Sequence, residues 1–427
     1  MKLWEKGIAT DQKIEQFTVG NDRELDTVLA KYDILGSIAH AKMLAKVNLI
    51  STEEANDLCS ALQDILQITE KEGFIIENQF EDIHSKIEYM LIEKLGDTGK
   101  KIHTARSRND QVLVDMHLYL KDEIITIKSL VVTLFDLLIT LAEKNQNVLL
   151  PGYTHLQVAM PSSFGLWFSA YAESLIDDFT MLNAALQIVD QNPLGSAAGY
   201  GSSFPIDRTF TTEKLGFSTL KYNVVAAQMS RGKSEKMMAF AMSSVAGTLS
   251  KLAMDVCLYL SQNFNFIELP GHLTTGSSIM PHKKNPDIFE LIRGKSNKIQ
   301  SLPYELTLLT NNLPSGYHRD YQLLKESLFP AIESLKSCLE MTHYAIKDIV
   351  VKETIFEDPK YNYSFTVDTI NEMVVGGIPF RDAYKIVAEQ IENGTFQVPQ
   401  KTNHTHEGSI NNLCLEKIRQ KMYQSYF

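Results

Sequence analysis

LVDMHLYLKDEIITIKSLVVTLFDLLITLA (113–142) decides the fold. No glycine or proline occurs from Lys100 to Leu150. Within that span Leu113, Met116, Leu120, Ile124, Ile127, Val131, Leu134, Leu138 and Leu141 recur at spacings of three and four. That periodicity places them on one stripe of a long helix. The most apolar part, LVVTLFDLLITLA (130–142), is short and broken by Asp136. A membrane span needs about 20 apolar residues. The stretch therefore predicts a buried helix and no membrane contact.

SRND (107–110) sits where this helix should start and carries residues that cap helices well. PGYTH (151–155) ends the stretch. A second breaker-free run extends from Leu166 to Asn192, and NPLGSAAGYGSS (192–203) is a glycine- and serine-rich loop. Helical patterning resumes over 233–264, then over about 286–302, and again from NLPSGYHRDYQ (312–322) to about Ile349. Alternating strands and a dinucleotide-binding glycine loop are not part of this pattern. Long helices with short loops predict an all-α, extended helix bundle. The expected division is a small N-terminal helical domain over 1–104, the long-helix bundle over 105–349, and a small C-terminal domain over 350–427. A stripe this long also predicts partners from other subunits.

The chain has 427 residues, with 44% hydrophobic, 22% charged and a formal net charge of −11. Nucleic-acid binding needs a basic footprint, so this balance argues against it. An anionic substrate stays open if its site is locally basic. The four cysteines, Cys59, Cys257, Cys338 and Cys414, form no CxxC pair. That argues for reduced cytosolic thiols and against a zinc site. The N-terminal MKLWEKGIATDQKIEQF is charged, unlike a signal peptide.

GSSIMPHKKNP (276–286) puts two serines, a histidine and two lysines between apolar helices. Asn285, Pro286 and Asp287 predict a helix start, where anions are favoured. Lys283 and Lys284 add positive charge, so an anionic ligand has a physical reason to sit there. Ser277 lies in no GxSxG elbow. It could be a Ser-Lys hydrolase nucleophile, or a base whose alkoxide nearby positive charge stabilises. KIHTARSRNDQ (101–111), GYTHLQ (152–157) and SGYHRDYQLLKE (315–326) also concentrate polar groups at helix breaks. Taken singly, SRND reads as a cap, His155 as a structural hydrogen-bonding residue and Tyr317 as packing. Their joint occurrence is what points to a site.

GSSIMPHKKNP resembles the loop shared across the fumarase/aspartase superfamily. HTARSRNDQ (103–111), PGYTHLQ (151–157) and the spacing Tyr317, Gln322, Lys325 resemble the argininosuccinate lyase family within it. The resemblance covers most of the chain, through to GIPFRDAY (377–384). It implies an elongated helix bundle and a cytoplasmic homotetramer whose active sites draw on three subunits. It implies reversible cleavage of argininosuccinate to arginine and fumarate, without metal or organic cofactor. By match to the family motifs, Ser277 would remove the Cβ proton. His155 would serve the leaving guanidinium nitrogen, oriented by Glu290. Lys283 and Asn285 would hold the carboxylate that takes up charge. Ser107, Arg108, Asn109 and Thr154 would contact substrate, while Tyr317, Gln322 and Lys325 would hold the arginine portion.

Four positions depart from the family pattern. Ala105 stands for a glycine, and His282 for a glutamine, as in adenylosuccinate lyase. FTVGND (17–22) lacks the FN-x-S pattern and its substrate-contacting serine. MSRG (229–232) keeps only Arg231 of S-x-R-D. Adenylosuccinate lyase and a non-catalytic structural homologue are the alternatives. SRNDQ argues against the first, and the retained Ser277, His155, Lys283, Asn285 and Glu290 argue against the second.

Overall fold

The structure is a computed structural model that describes residues 11–399 and 402–426. The first ten residues of the charged N-terminal segment lie outside the described residues. The chain is all-α, as its periodicity predicts, with three two-stranded pairings among the described residues. The decisive stretch forms one 37-residue helix, Arg108–Lys144. Every one of its nine stripe residues is at most 5% exposed. Burying each such side chain contributes about 1.5–3 kcal/mol, which is why the stripe fixes the helix. By length and composition alone, this helix and Lys233–Leu260 could cross a membrane.

Two compact units account for the chain. The first comprises Met1–Lys128, Met181–Ser244 and Lys298–Leu335. In it the helices Ala30–Lys46, Thr52–Glu72 and Ile83–Leu95 pack on a core that includes Ile34, Leu44, Leu58, Leu62, Ile83 and Leu91. Local chemistry starts two of them. Ser51 and Glu54 form a reciprocal capping box, with bonds of 3.1 and 2.9 Å. Asp82 and Ser85 form another, with bonds of 2.8 and 3.2 Å. Each box satisfies two backbone donors that the first turn leaves free.

The second unit comprises Ser129–Thr180, Val245–Asn297 and Lys336–Phe427. It holds an element the sequence reading missed, an antiparallel hairpin of Leu149–Thr154 and Gln157–Ser163. Its prolines and Gly152 read as a break, yet Tyr153 packs edge-on against Phe264 at 5.2 Å between ring centres. Phe266 continues the cluster to Tyr361 at 6.0 Å. Such pairs contribute about 0.5–1.5 kcal/mol each beyond area burial, enough to hold a short hairpin. Behind it, Asp255 accepts from Trp167 Nε1 at 3.1 Å and from the Tyr171 hydroxyl at 2.6 Å. Three C-terminal helices, Thr366–Val375, Phe380–Glu392 and Leu415–Tyr426, complete the unit.

Candidate active site

The loop that carries Ser277 is closed at its base. Thr275 and Asn285 exchange backbone bonds, Thr275 N–H to Asn285 O at 3.2 Å and Asn285 N–H to Thr275 O at 2.8 Å. Residues 276–284 are thereby pinched off as a loop. Ser277 Oγ accepts from the backbone N–H of Met280 at 3.1 Å and of Ile279 at 3.4 Å. These two donors favour a negative oxygen. The helix that follows is Asp287–Ile299. Its first carbonyl acceptor is Pro286, which takes the N–H of Glu290 at 3.1 Å. Pro286 therefore takes the cap position, and Asn285 precedes it. Lys283 and Lys284 are exposed on the loop, and Glu290 is exposed in the helix's first turn.

Thr154 and His155 lie at the tip of the hairpin, both exposed. Thr154 pairs with Gln157, so His155 and Leu156 are the whole turn. Both have left-handed backbones, φ 53° and 58°. A two-residue turn of this type suits the twist of the strands and prefers asparagine and glycine. Leucine at positive φ is strained, and Leu156 is 74% exposed, so no burial offsets the strain. Such outliers persist where function retains them. Among the described residues, the side chains of His155 and Glu290 make no hydrogen bond to each other.

The remaining candidates gather in the first unit. Arg108, Asn109, Tyr317, Gln322 and Lys325 line one cavity of about 260 Å³. Ser107 stands one residue before the helix, where its Oγ accepts from Asn109 N–H at 3.3 Å. Arg108 Nη1 is paired with Glu81 at 3.1 Å and Asp82 at 2.9 Å. Gln322 Nε2 donates to the carbonyls of Thr18 at 3.1 Å and Val19 at 2.9 Å. Lys325 is 2% exposed and lies between Asp22, at 2.5 Å, and Asp26. Burial disfavours its charge, but Asp26 and Asp22 outweigh burial and hold its pKa above the usual lysine value. Burial likewise pushes the Tyr317 phenol up.

The sequence reading missed Asp22, Asp26, Glu81, Asp82, His84 and Arg319, all of which line the same cavity. The spacing of Asp22 and Asp26, four apart on one helix face, was the available signal. Two departures from the family pattern acquire reasons here. Ala105 adopts φ 61°, the conformation a glycine would supply, and its methyl packs on the unit's core. Arg231 is held by Glu235 four residues on, and Glu235 also takes the N–H of Gly232 at 2.7 Å. Gly232 has φ 80°, and a Cβ there would lie 2.7 Å from Thr310 Cγ2. The position has no room for an aspartate.

Residues 5–301 match the family model described as Lyase. Argininosuccinate lyase of Parabacteroides distasonis is 56% identical over 99% of this chain and 94% of its own length. That of Thermotoga neapolitana is 42% identical over 91% of this chain and 98% of its own length. Among solved structures, EDDS lyase in complex with formate superposes with a TM-score of 0.82 at 19% identity, covering 98% of this chain and 92% of that one.

Proposed function

This chain belongs to the argininosuccinate lyase family of the fumarase/aspartase superfamily, and from that premise we propose that it cleaves argininosuccinate reversibly to arginine and fumarate, in arginine biosynthesis. The observation that carries the chemistry is the setting of Ser277. Its oxygen receives two backbone N–H groups on a lysine-bearing loop that feeds a helix N-terminus. A proton beside a carboxylate is hard to remove, because the electron pair it leaves moves onto that carboxylate. Fixed donors and positive charge are the counterweight, both for that carboxylate and for a serine alkoxide.

In this reading the Ser277 alkoxide takes the Cβ proton of the succinyl portion. Lys283 and Asn285 hold the carboxylate that receives the electron pair. The pair then forms the double bond of fumarate as the Cα–N bond breaks. His155 protonates or holds the departing guanidinium nitrogen, with Glu290 orienting it in the assembled tetramer rather than within one chain. Ser107, Arg108, Asn109 and Thr154 contact substrate, and Tyr317, Gln322 and Lys325 hold the arginine portion. Closure of the loop over substrate would exclude water and strengthen each of these terms. No metal or organic cofactor has a part. The homotetramer, sites built from three subunits, the cytoplasmic location and the domain division at 104 and 349 belong to the same proposal. Sedimentation of purified protein tests the tetramer; a fully active monomer contradicts it.

The deciding experiment follows fumarate by ultraviolet absorbance from argininosuccinate, with adenylosuccinate in parallel. Fumarate from argininosuccinate alone is the expected result. Fumarate from adenylosuccinate alone would transfer the assignment to the alternative that His282 suggests.

The hairpin tip gives a separable prediction. The double variant His155→Asn, Leu156→Gly installs the preferred turn pair. We expect thermal unfolding to show stabilisation of about 1 kcal/mol, from relief of strain, while turnover falls by about 10²-fold or more through loss of the imidazole. Unchanged turnover would remove His155 from the reaction.

A further inference from the structure

The cavity in the first unit holds more carboxylate than its cations can neutralise at one end. Lys325 faces both Asp22 and Asp26. The neighbouring cations are engaged elsewhere: Arg231 with Glu235, Arg319 with Glu81 at 2.9 Å, and Arg108 with Glu81 and Asp82. Asp26 is 3% exposed, whereas Asp22 is the more open of the two. A partly buried carboxylate short of a counter-charge is costly unless a further cation completes it. At the same place two guanidinium N–H groups lack a partner. Arg231 is 3% exposed with Nε unsatisfied, and Arg108 Nη2 is buried and unsatisfied. Both residues line the cavity beside Asp22. One wall thus lacks a cation and another lacks an acceptor, which is the complement of an amino-acid zwitterion.

A carboxylate can neutralise an ammonium group as well as accept its hydrogen bond, which a hydroxyl cannot do. We propose that Asp22 is a specificity residue that receives the α-ammonium of the substrate's arginine portion, with Arg231 and Arg108 taking its α-carboxylate, so that this enzyme requires a free amine there. The proposal rests on the argininosuccinate reading. It predicts that an acylated amine, which is neutral and bulky, is rejected at this end while the elimination chemistry stays intact.

Burial and Asp26 push the Asp22 carboxyl up to about 6, against the opposing pull of Lys325 and Arg231. Asp26, Lys325 and Arg231 act on it most strongly, and Arg108, Arg319, Tyr317, His84, Glu81 and Asp82 line the same cavity. Only the carboxylate form can neutralise an ammonium, so binding of the amine weakens as pH falls through about 6.

The test uses the full-length enzyme and two inhibitors of fumarate release. One is arginine. The other is 5-guanidinopentanoate, which is arginine without its α-amino group. In Asp22→Asn and Asp22→Ser the inhibition constant for arginine is expected to rise about tenfold or more, and that for 5-guanidinopentanoate to stay within about twofold. Equal weakening of both ligands would mean that Asp22 only props Lys325, and unchanged arginine inhibition would mean that it meets no ammonium. Either result overturns the proposal. If both variants fail to fold, the wild-type enzyme decides. Its preference for arginine over the des-amino analogue should collapse below about pH 6, and a preference that persists overturns the idea. A wild-type enzyme that releases no fumarate from argininosuccinate instead removes the underlying reaction.

Discussion

Ser277→Ala is expected to fold as the wild type does and to lose about 10³–10⁴-fold in kcat for fumarate release, the scale of a positioned acid–base group. Folding should survive because the loop is closed by the backbone bonds between Thr275 and Asn285, which do not involve the Ser277 side chain. The Oγ accepts two bonds in a half-exposed turn. Their loss costs about 1 kcal/mol or less, since water replaces the acceptor. The reaction has no such substitute. Water in the same position could take the N–H groups of Ile279 and Met280, but as a neutral molecule it would be a far weaker base than the alkoxide, and nothing covalent would hold it at the Cβ proton. The KM for argininosuccinate should change little, because the proposed partners of the carboxylate, Lys283 and Asn285, remain. Circular dichroism, thermal unfolding and turnover together give the answer. A variant that is folded and within about tenfold of wild-type turnover would remove Ser277 as the base.

How far the sequence carried this picture depends on the range of the interactions involved. The helix Arg108–Lys144 was legible because its nine apolar positions keep one helical period without a breaker. The role of SRND as a helix start was legible because capping is local. Ser107 N–H does meet Asp110 Oδ1 at 2.8 Å, and the helix begins one residue later. The hairpin at 149–163 was not legible. PGYTH (151–155) read as a break, and what stabilises the strands is aromatic packing with Phe264, Phe266 and Tyr361, far away in sequence. The positive φ of His155 could not be read either, since neither His nor Leu announces such a turn. Tyr317, Gln322 and Lys325 were named by motif spacing. Their acidic partners were not, because Asp22 and Asp26 are some 300 residues away in sequence and meet Lys325 only after folding.

Asp110→Ala should be the most destabilising substitution among these, by about 3–5 kcal/mol. The carboxylate is fully buried, and its bonds reach across the sequence. One oxygen takes the N–H of Ser107 at 2.8 Å, the other those of Gly195 at 3.0 Å and Ala197 at 2.9 Å. Burial pushes its pKa up against the pull of these bonds, so the site is one where desolvation is already severe. Alanine would leave three backbone donors without their acceptor, each costing about 1–3 kcal/mol where water cannot enter. Arg208 holds the carbonyls of Leu194 and Pro193, but Gly195 and Ala197 give their N–H groups to Asp110, and both have positive φ and would relax if released. Asp110→Asn separates geometry from charge. It preserves the shape and one acceptor but turns an amide toward a backbone N–H, and an intermediate loss is expected. Turnover should fall in both variants, because the same carboxylate holds the N–H of Ser107, which leads directly into Arg108 and Asn109. Denaturant and thermal unfolding measure the loss directly. A melting temperature unchanged in Asp110→Ala would mean that the loop is held by its own turn chemistry and not by this single buried acid.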